Sequence, residues 1–280
     1  MSELDKQVDE IKIGGTPPIV ALTIAGFDPS GGAGVIADLK TFTAFGCFAT
    51  AAVTSLTFQN TVGVFGAVHQ TPEAVRRQVL PIVEDFRVAC VKTGMLPTRE
   101  VIEEVARLFR ETGLPSPIVD PVVRSTSGYD LIDDEALAAL RRELLPLARV
   151  ITPNIPEAER LSGLRVSNEK EMHAAAAALR ATGARAVLVK GGHLAHGDAV
   201  DVLNDEGRVS VFRGPRFQTT STHGTGCTLA AAIAANLGRG EDLMESIRRA
   251  KEFVAEAIRR APGIGHGNGP IEHAWRVQKS

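Results

Sequence analysis

Short apolar runs alternate with helical spacing along almost the whole chain, and that alternation leaves few folds open. Residues 19–25, 49–58, 88–92, 117–119, 150–152 and 186–190 read as short buried strands. Helical patterns fall between them, over 33–45, 72–83, 98–111, 134–144, 156–161 and 169–181, with Thr71 placed as the N-cap of the helix opening at Pro72. Residues 198–203 and 209–212 form a hairpin about Asp205-Glu206-Gly207, and helices over 225–237 and 243–261 close the chain. Brief apolar strands alternating with helices predict a mostly parallel sheet covered on both faces, an α/β fold.

With 280 residues, 44% of them hydrophobic, the chain can bury one large core. No linker or internal repeat divides it, so the expectation is a flexible tail over 1–16 and a single domain over 17–280. The formal net charge of -2, with both signs interspersed, offers no footprint for nucleic acid or an anionic membrane. Cys47, Cys90 and Cys227 lie far apart without CxxC spacing, which argues against a zinc site or disulfide framework and suits a reducing cytosol. The opening residues MSELDKQVDEIKIGG carry no apolar signal core, and no apolar run reaches membrane-spanning length. The expected setting is cytoplasmic.

Two glycine-rich segments stand at strand-to-helix junctions. In THGTGCTLAAAIA (222–234), Gly224 and Gly226 precede a run of small residues. A glycine turn opening a helix leaves backbone N–H groups unpaired at the positive end of the macrodipole, where negative charge is held. Cys227 falls in the first turn, a position that lowers a thiol's pKa. The same residues also suit a plain turn with Cys227 as a small core residue. The other segment, Gly26-Phe27-Asp28-Pro29-Ser30-Gly31-Gly32-Ala33-Gly34, follows the first strand. It is no P-loop, because GxxxxGK[ST] is missing. It is a poor dinucleotide fingerprint, because the second strand ends in Gln59-Asn60-Thr61 without an acidic residue for a ribose.

Further motifs follow in order: FQNTVGV (58–64), KTGML (92–96), VDPVV (119–123), ITPNIPEAERL (151–161), LVKGGH (188–193), HGTGC (223–227) and GHGNGP (265–270). Together with ALTIAGFDPSGGAGVIADLKTF (21–42), they strongly resemble the hydroxymethylpyrimidine/phosphomethylpyrimidine kinases of thiamine biosynthesis, within the ribokinase superfamily. The resemblance runs from about Pro18 to Trp275. GTGC with TPN-x-x-E marks the superfamily branch, and AGxDPSGGAG with QNT narrows it to the pyrimidine kinases. It implies a ribokinase-like three-layer α/β/α sandwich, ATP as phosphoryl donor with Mg²⁺, and a homodimer. One stretch departs from the pattern DPVMVAKSG: the lysine position is Thr126, and an arginine stands at 124.

The resemblance also distributes roles. Cys227 would be the base, with Gly224, Thr225 and Gly226 around it as an anion hole. Gln59 would read the aminopyrimidine edge, its amide offering both donor and acceptor; by itself it suits a solvated turn. Gly26 and Ala33 would lie against the substrate, and Met95 and Val122 would wall it, although either could be ordinary core. Asp38 would face the pocket or be an exposed helix charge. Lys190 and Asn154 would meet ATP, and Asn154 with Glu157 would hold Mg²⁺, directly or through water. Asn154 and Glu157 are equally spaced for a capping box. His193, His223 and His266 are irregularly spaced and fit polar contacts or core better than a metal site. Pyridoxal or pyridoxine kinase is the nearest alternative activity; a non-catalytic pyrimidine sensor is the alternative outside catalysis.

Overall fold

A computed structural model describes residues 17–125, 128–192 and 199–279, so the 1–16 tail, Thr126 and His193 lie outside the described residues. Among them a nine-stranded sheet runs in the order β3-β2-β1-β4-β5-β6-β7-β8-β9. Its strands are β1 (Val20–Phe27), β2 (Phe48–Gln59), β3 (Val64–His69), β4 (Val88–Thr93), β5 (Ile118–Val119), β6 (Val150–Ile151), β7 (Ala186–Lys190), β8 (Ala199–Asp205) and β9 (Arg208–Gly214). Pairing is parallel from β2 through β1 and β4 to β7. It turns antiparallel at both margins, where β3 joins β2 and where β8 and β9 follow β7.

Helices cover both faces. On one lie α1 (Gly34–Ala44), α7 (Thr225–Gly238) and α8 (Leu243–Arg259); on the other lie α2 (Pro72–Asp85), α3 (Arg99–Glu111), α4 (Asp134–Ala139), α5 (Ile155–Ser162) and α6 (Glu169–Arg180). The strands serve both layers by alternation. In β7, Ala186 and Leu188 face the α7–α8 layer, and Val187 and Val189 face the other. This is the three-layer α/β/α sandwich expected, with the parallel strands buried on both sides. Helix α8 presents Leu243, Ile247, Ala250, Phe253 and Ala257 as one apolar stripe, and α7 is buried from Thr228 to Asn236. Thr71 caps α2 by accepting the Ala74 N–H at 3.1 Å.

Three local features go beyond the sequence expectation. Residues 64–69, between the strand and the helix read there, form a further strand; Gly63 and Gly66 interrupt its apolar run, and Phe65 and Val68 remain exposed on the sheet margin. The 134–144 helix changes after Ala139 into a π turn over Leu140–Leu144. The hairpin is longer than its apolar core, because Glu206 and Gly207 take positive φ of 51° and 92° in a tight reversal and let pairing run out to Asp205 and Arg208.

Strand β1 is flanked by β2 and β4, so successive connections leave it in opposite directions. A sheet of this kind opens a crevice at the carboxyl ends of its strands where the order reverses.

Candidate active site

That crevice is a cleft of about 1390 Å³, larger than the roughly 300–1,000 Å³ of a pocket for one small ligand. Gly26, Ala33, Gln59, Met95 and Val122 line it. So do Asn154, Glu157, Lys190 and the 224–227 turn. All the sequence-predicted site residues but one therefore converge.

Asp38 is the exception, and both sequence expectations for it are corrected. It neither faces the cleft nor meets solvent: fully buried in α1, its Oδ2 accepts from Lys92 Nζ at 2.8 Å and Thr23 Oγ1 at 2.6 Å. Burial pushes its carboxyl up, which the Lys92 ammonium opposes.

The glycine loop after β1 is held by Asp28. Its carboxylate accepts the N–H groups of Ser30 at 2.8 Å and Ala33 at 2.9 Å, and lies 2.7 Å from His223 Nε2. The buried carboxyl would rise, but these hydrogen bonds and His223 hold it below its ordinary range. Gly34 has φ +57°, and a Cβ there would come 2.2 Å from the Gly26 carbonyl oxygen; only glycine closes this loop. Opposite it, Thr57 Oγ1 donates to the Phe27 carbonyl at 2.9 Å, and Thr54 Oγ1 to that of Met95 at 2.7 Å. These bonds bring β2, which ends in half-buried Gln59, against the loop and Met95.

Helix α7 opens on Gly224, φ +79°, packed so that a Cβ would fall 1.8 Å from the Gly32 carbonyl oxygen. Thr225 N–H donates back to the Thr222 carbonyl. The amides of Gly226 and Cys227 precede the first carbonyls that α7 could offer them. No acidic residue stands in this first turn to compete for them. The expectation of a lowered Cys227 pKa is corrected: burial pushes the thiol up to about 12, although Lys92 and the Gly34 N–H draw it back. The first-turn position is outweighed by desolvation and by the Asp120 and Asp38 carboxylates.

Beside this turn runs a row of charge. Lys190 Nζ donates to Asp120 Oδ1 at 3.0 Å, and the Thr152 hydroxyl donates to the same oxygen at 3.3 Å. Burial alone would lower Lys190, but Asp120 and Glu157 hold it above its ordinary value. Burial would likewise raise Asp120; the Lys190 and Lys92 ammonium groups hold it low. Asn154 and Glu157 make the capping box of α5: Asn154 Oδ1 accepts the Glu157 N–H at 2.9 Å, and Glu157 Oε2 accepts the Asn154 N–H at 2.8 Å. Burial pushes Glu157 up to about 7.

Asp120, Asp28 and Lys92 are the residues to which sequence reasoning gave no role. Asp120 was legible as an acid ending a buried strand at the sheet's ligand edge. Lys92 and Asp28 carry no local signal, since their partners are remote in sequence. Of the histidines, His223 is a polar contact, as expected, while His266 is exposed on the 265–270 segment. Arg124, the departure from the family pattern, pairs with Asp130 at 2.9 Å on the cleft rim.

Asn154, Glu157 and Asp120 offer hard oxygens to the cleft, the donor type Mg²⁺ takes; among the described residues no group of three or more His, Cys, Asp or Glu is placed to hold a metal ion by itself. Mg²⁺ characteristically keeps waters and bridges substrate phosphates with one or two carboxylates.

Comparison with known proteins gives the chain a family. The phosphomethylpyrimidine kinase family profile matches residues 28–272. The chain is 47% identical over 262 residues to the hydroxymethylpyrimidine/phosphomethylpyrimidine kinase of Streptomyces coelicolor, covering 94% of this chain and 96% of that one. It is 47% identical over 253 residues to the thiamine biosynthesis bifunctional protein ThiED of Geobacter sulfurreducens, 90% of this chain and 51% of that longer one. Among solved structures, an ADP complex of Bacillus subtilis pyridoxal kinase superposes with a TM-score of 0.87 at 37% identity, over 94% of this chain and 100% of that one.

Proposed function

Since the chain belongs to the phosphomethylpyrimidine kinase family, we propose that it transfers the γ-phosphoryl group of ATP to the hydroxymethyl oxygen of 4-amino-5-hydroxymethyl-2-methylpyrimidine. The monophosphate so formed is phosphorylated again, to the pyrophosphate. The chain is a phosphotransferase of thiamine biosynthesis. The observation that carries the reading is the meeting, in one cleft, of the 224–227 anion turn, the Asp120–Lys190 pair and Gln59. Pyridoxal kinase, the fold neighbour's activity, is disfavoured by the family match.

Phosphoryl transfer asks a protein mainly for positioning and charge stabilisation. Gln59 reads the pyrimidine edge, and Gly26 and Ala33 let it approach the loop, between the apolar sides of Met95 and Val122. Lys190 and the amides of Gly226 and Cys227 receive the charge that builds on the transferring group, with Gly224 and Thr225 shaping the turn that presents them. When bound, Mg²⁺ neutralises nucleotide phosphate charge; Asn154 and Glu157 would hold it through water, and Asn154 would also contact ATP.

Cys227 handles the proton. Its resting thiol is protonated, held so by burial and by the Asp120 and Asp38 carboxylates. As the new O–P bond forms, the substrate oxygen becomes strongly acidic. Its proton passes to Sγ while the thiol's own proton passes to Asp120, so the thiol ends as it began. The base assigned from the sequence thus becomes a relay.

The same reading sets the enzyme to work on small molecules in the cytoplasm, as a homodimer. No described helix is long and apolar enough to cross a membrane, and Phe58 and Phe65 expose an apolar face at the sheet margin. Measuring ATP consumption on hydroxymethylpyrimidine, its monophosphate and pyridoxal tests the assignment. The first two are expected to be turned over at least roughly tenfold more efficiently than pyridoxal. A preference for pyridoxal would overturn it.

A further inference from the structure

The 265–270 segment, Gly-His-Gly-Asn-Gly-Pro, takes no part in the chemistry above, yet it is bonded both to Thr61, near Gln59, and to His223, beside the anion turn. At one end it meets Thr61, two residues beyond Gln59. Thr61 Oγ1 accepts the N–H groups of His266 at 3.2 Å and Gly267 at 3.3 Å, and the Thr61 carbonyl accepts that of Asn268 at 2.8 Å. The fit admits no side chain: a Cβ at Gly267 would lie 2.1 Å from the Thr61 carbonyl oxygen. At the other end, His223 N–H donates to the Gly269 carbonyl at 3.1 Å and bridges to Pro270. His223 directly precedes the anion turn, and its Nε2 holds the Asp28 carboxylate that folds the glycine loop. Gly32 of that loop packs on the imidazole so closely that a Cβ would come 2.4 Å from Cδ2.

Gln59 needs such a tie. It ends β2 on an antiparallel ribbon with β3, the outermost strand, whose Phe65 and Val68 are exposed. The turn beyond it is stiff: Asn60 Oδ1 accepts the N–H groups of Val62 and Gly63, and Asn60 N–H donates to the Gly63 carbonyl. A pull on Thr61 is therefore transmitted to Gln59 rather than absorbed. Both ends are fixed by directional bonds to the same short glycine-rich segment.

We propose that residues 265–270 are a positioning strap that couples the pyrimidine end of the cleft to its anion turn, with Thr61 and His223 as the two anchors. This rests on the assignment of Gln59 to the pyrimidine and of 224–227 to phosphate. Nucleotide bound at the turn then stiffens the pyrimidine site, and pyrimidine tightens nucleotide by the same factor, as reciprocity requires.

The test is pyrimidine affinity with and without a non-hydrolysable ATP analogue plus Mg²⁺, in wild type, Thr61→Val, His223→Ala and the double variant. The analogue is expected to tighten pyrimidine binding by about fivefold or more in wild type, within the usual range for coupled sites. Thr61→Val keeps the side chain's shape and removes the Oγ1 acceptor. It should bring the factor close to one, as should His223→Ala, with no further loss in the double variant because both break one connection. His223→Gln, which offers Asp28 a donor again, should restore part of it. An unchanged factor in Thr61→Val, or losses that multiply in the double variant, would overturn the strap. Hydrogen exchange with the analogue alone separates this from failure of the functional reading. Slowed exchange over 60–63 in wild type, lost in His223→Ala, supports the strap even for a protein that takes no pyrimidine. No slowing in wild type overturns it.

Discussion

Lys190 Nζ lies so close over Gly226 that a β-carbon on that glycine would sit 3.0 Å from it, with Asp120 Oδ2 3.7 Å away. The anion turn and the Asp120–Lys190 pair are thus packed as one surface, and the glycine sets their separation. Gly226→Ala must push the ammonium aside or lose part of the turn. We expect kcat/KM for ATP to fall roughly tenfold or more, since a displaced charge-stabilising group costs that much or more. The helix preference for alanine over glycine, up to about 1 kcal/mol, is set against the disturbed Asp120–Lys190 pair, so Tm should hold or fall slightly. Steady-state kinetics beside a melting curve checks this; activity within twofold of wild type would refute it.

Glu157 gives the pH prediction. Its folded pKa of about 7 stands above the ordinary 4.5, so the folded state holds this proton more tightly than the unfolded chain. Wild type without metal should be most stable on this account below pH 4.5 and lose stability as pH rises through about 7. Glu157→Gln removes that dependence and can still accept the Asn154 N–H. At pH 8 without metal it should be the more stable protein by on the order of 1–3 kcal/mol. It should also need more Mg²⁺ for half-maximal rate. Denaturant titrations across pH, with and without Mg²⁺, read both; a destabilised variant with an ordinary Mg²⁺ response would leave Glu157 a helix cap only.

Asp38 and Lys92 should be separable from substrate recognition. Asp38→Asn is expected to leave the pyrimidine KM unchanged while lowering Tm, because its carboxylate faces Lys92 and Thr23 rather than the cleft. Lys92→Met strands a buried carboxylate and should cost about 3–5 kcal/mol, part of it regained in the double variant with Asp38→Asn. A pyrimidine KM that rises severalfold in Asp38→Asn at unchanged Tm would restore Asp38 to the binding site.

The pattern of strand and helix was legible because burial on both faces writes itself into short apolar runs, as in β7. So was the edge on which the site lies, because Gly34 and Gly224 do what other residues cannot. What the sequence concealed were pairings across distance. Asp38 carries an ordinary helix charge's signature, and only the fold brings Lys92 beneath it. Asp28 and His223 meet across 195 positions. Cys227 was misjudged electrostatically: its helix position is local and visible, whereas the burial and carboxylates that outweigh it are tertiary.

Gln59 should decide between heteroaromatic substrates. Gln59→Leu removes a donor and an acceptor at the end of β2 while keeping bulk. The preference for hydroxymethylpyrimidine over pyridoxal should shrink through KM by roughly 10²-fold, as when a hydrogen-bonding site loses its partner. An unchanged preference would remove Gln59 from the pyrimidine-reading role.

Cys227 carries the sharpest prediction. With its thiol pushed up to about 12, almost no thiolate exists at neutral pH, so alkylation should accelerate steadily from pH 7 to 10 rather than level off near neutrality. A relay works from that protonated state, with Asp120 as the group that takes up the thiol's proton. Cys227→Ala breaks the relay and should cut kcat by about 10²–10⁴-fold, the usual contribution of a positioned proton acceptor. ATP binding should be nearly intact, because the backbone amides of the turn survive. Cys227→Ser distinguishes relay from free base: a hydroxyl can pass a proton on but is a poor resting base, so it should retain far more activity than alanine. If Cys227→Ala costs less than about threefold, anion stabilisation by the turn and Lys190 accounts for the rate, and the thiol only fills space. If serine is as slow as alanine while alkylation levels off near pH 7, the thiolate is the base after all, and the burial argument for a neutral thiol fails with the relay.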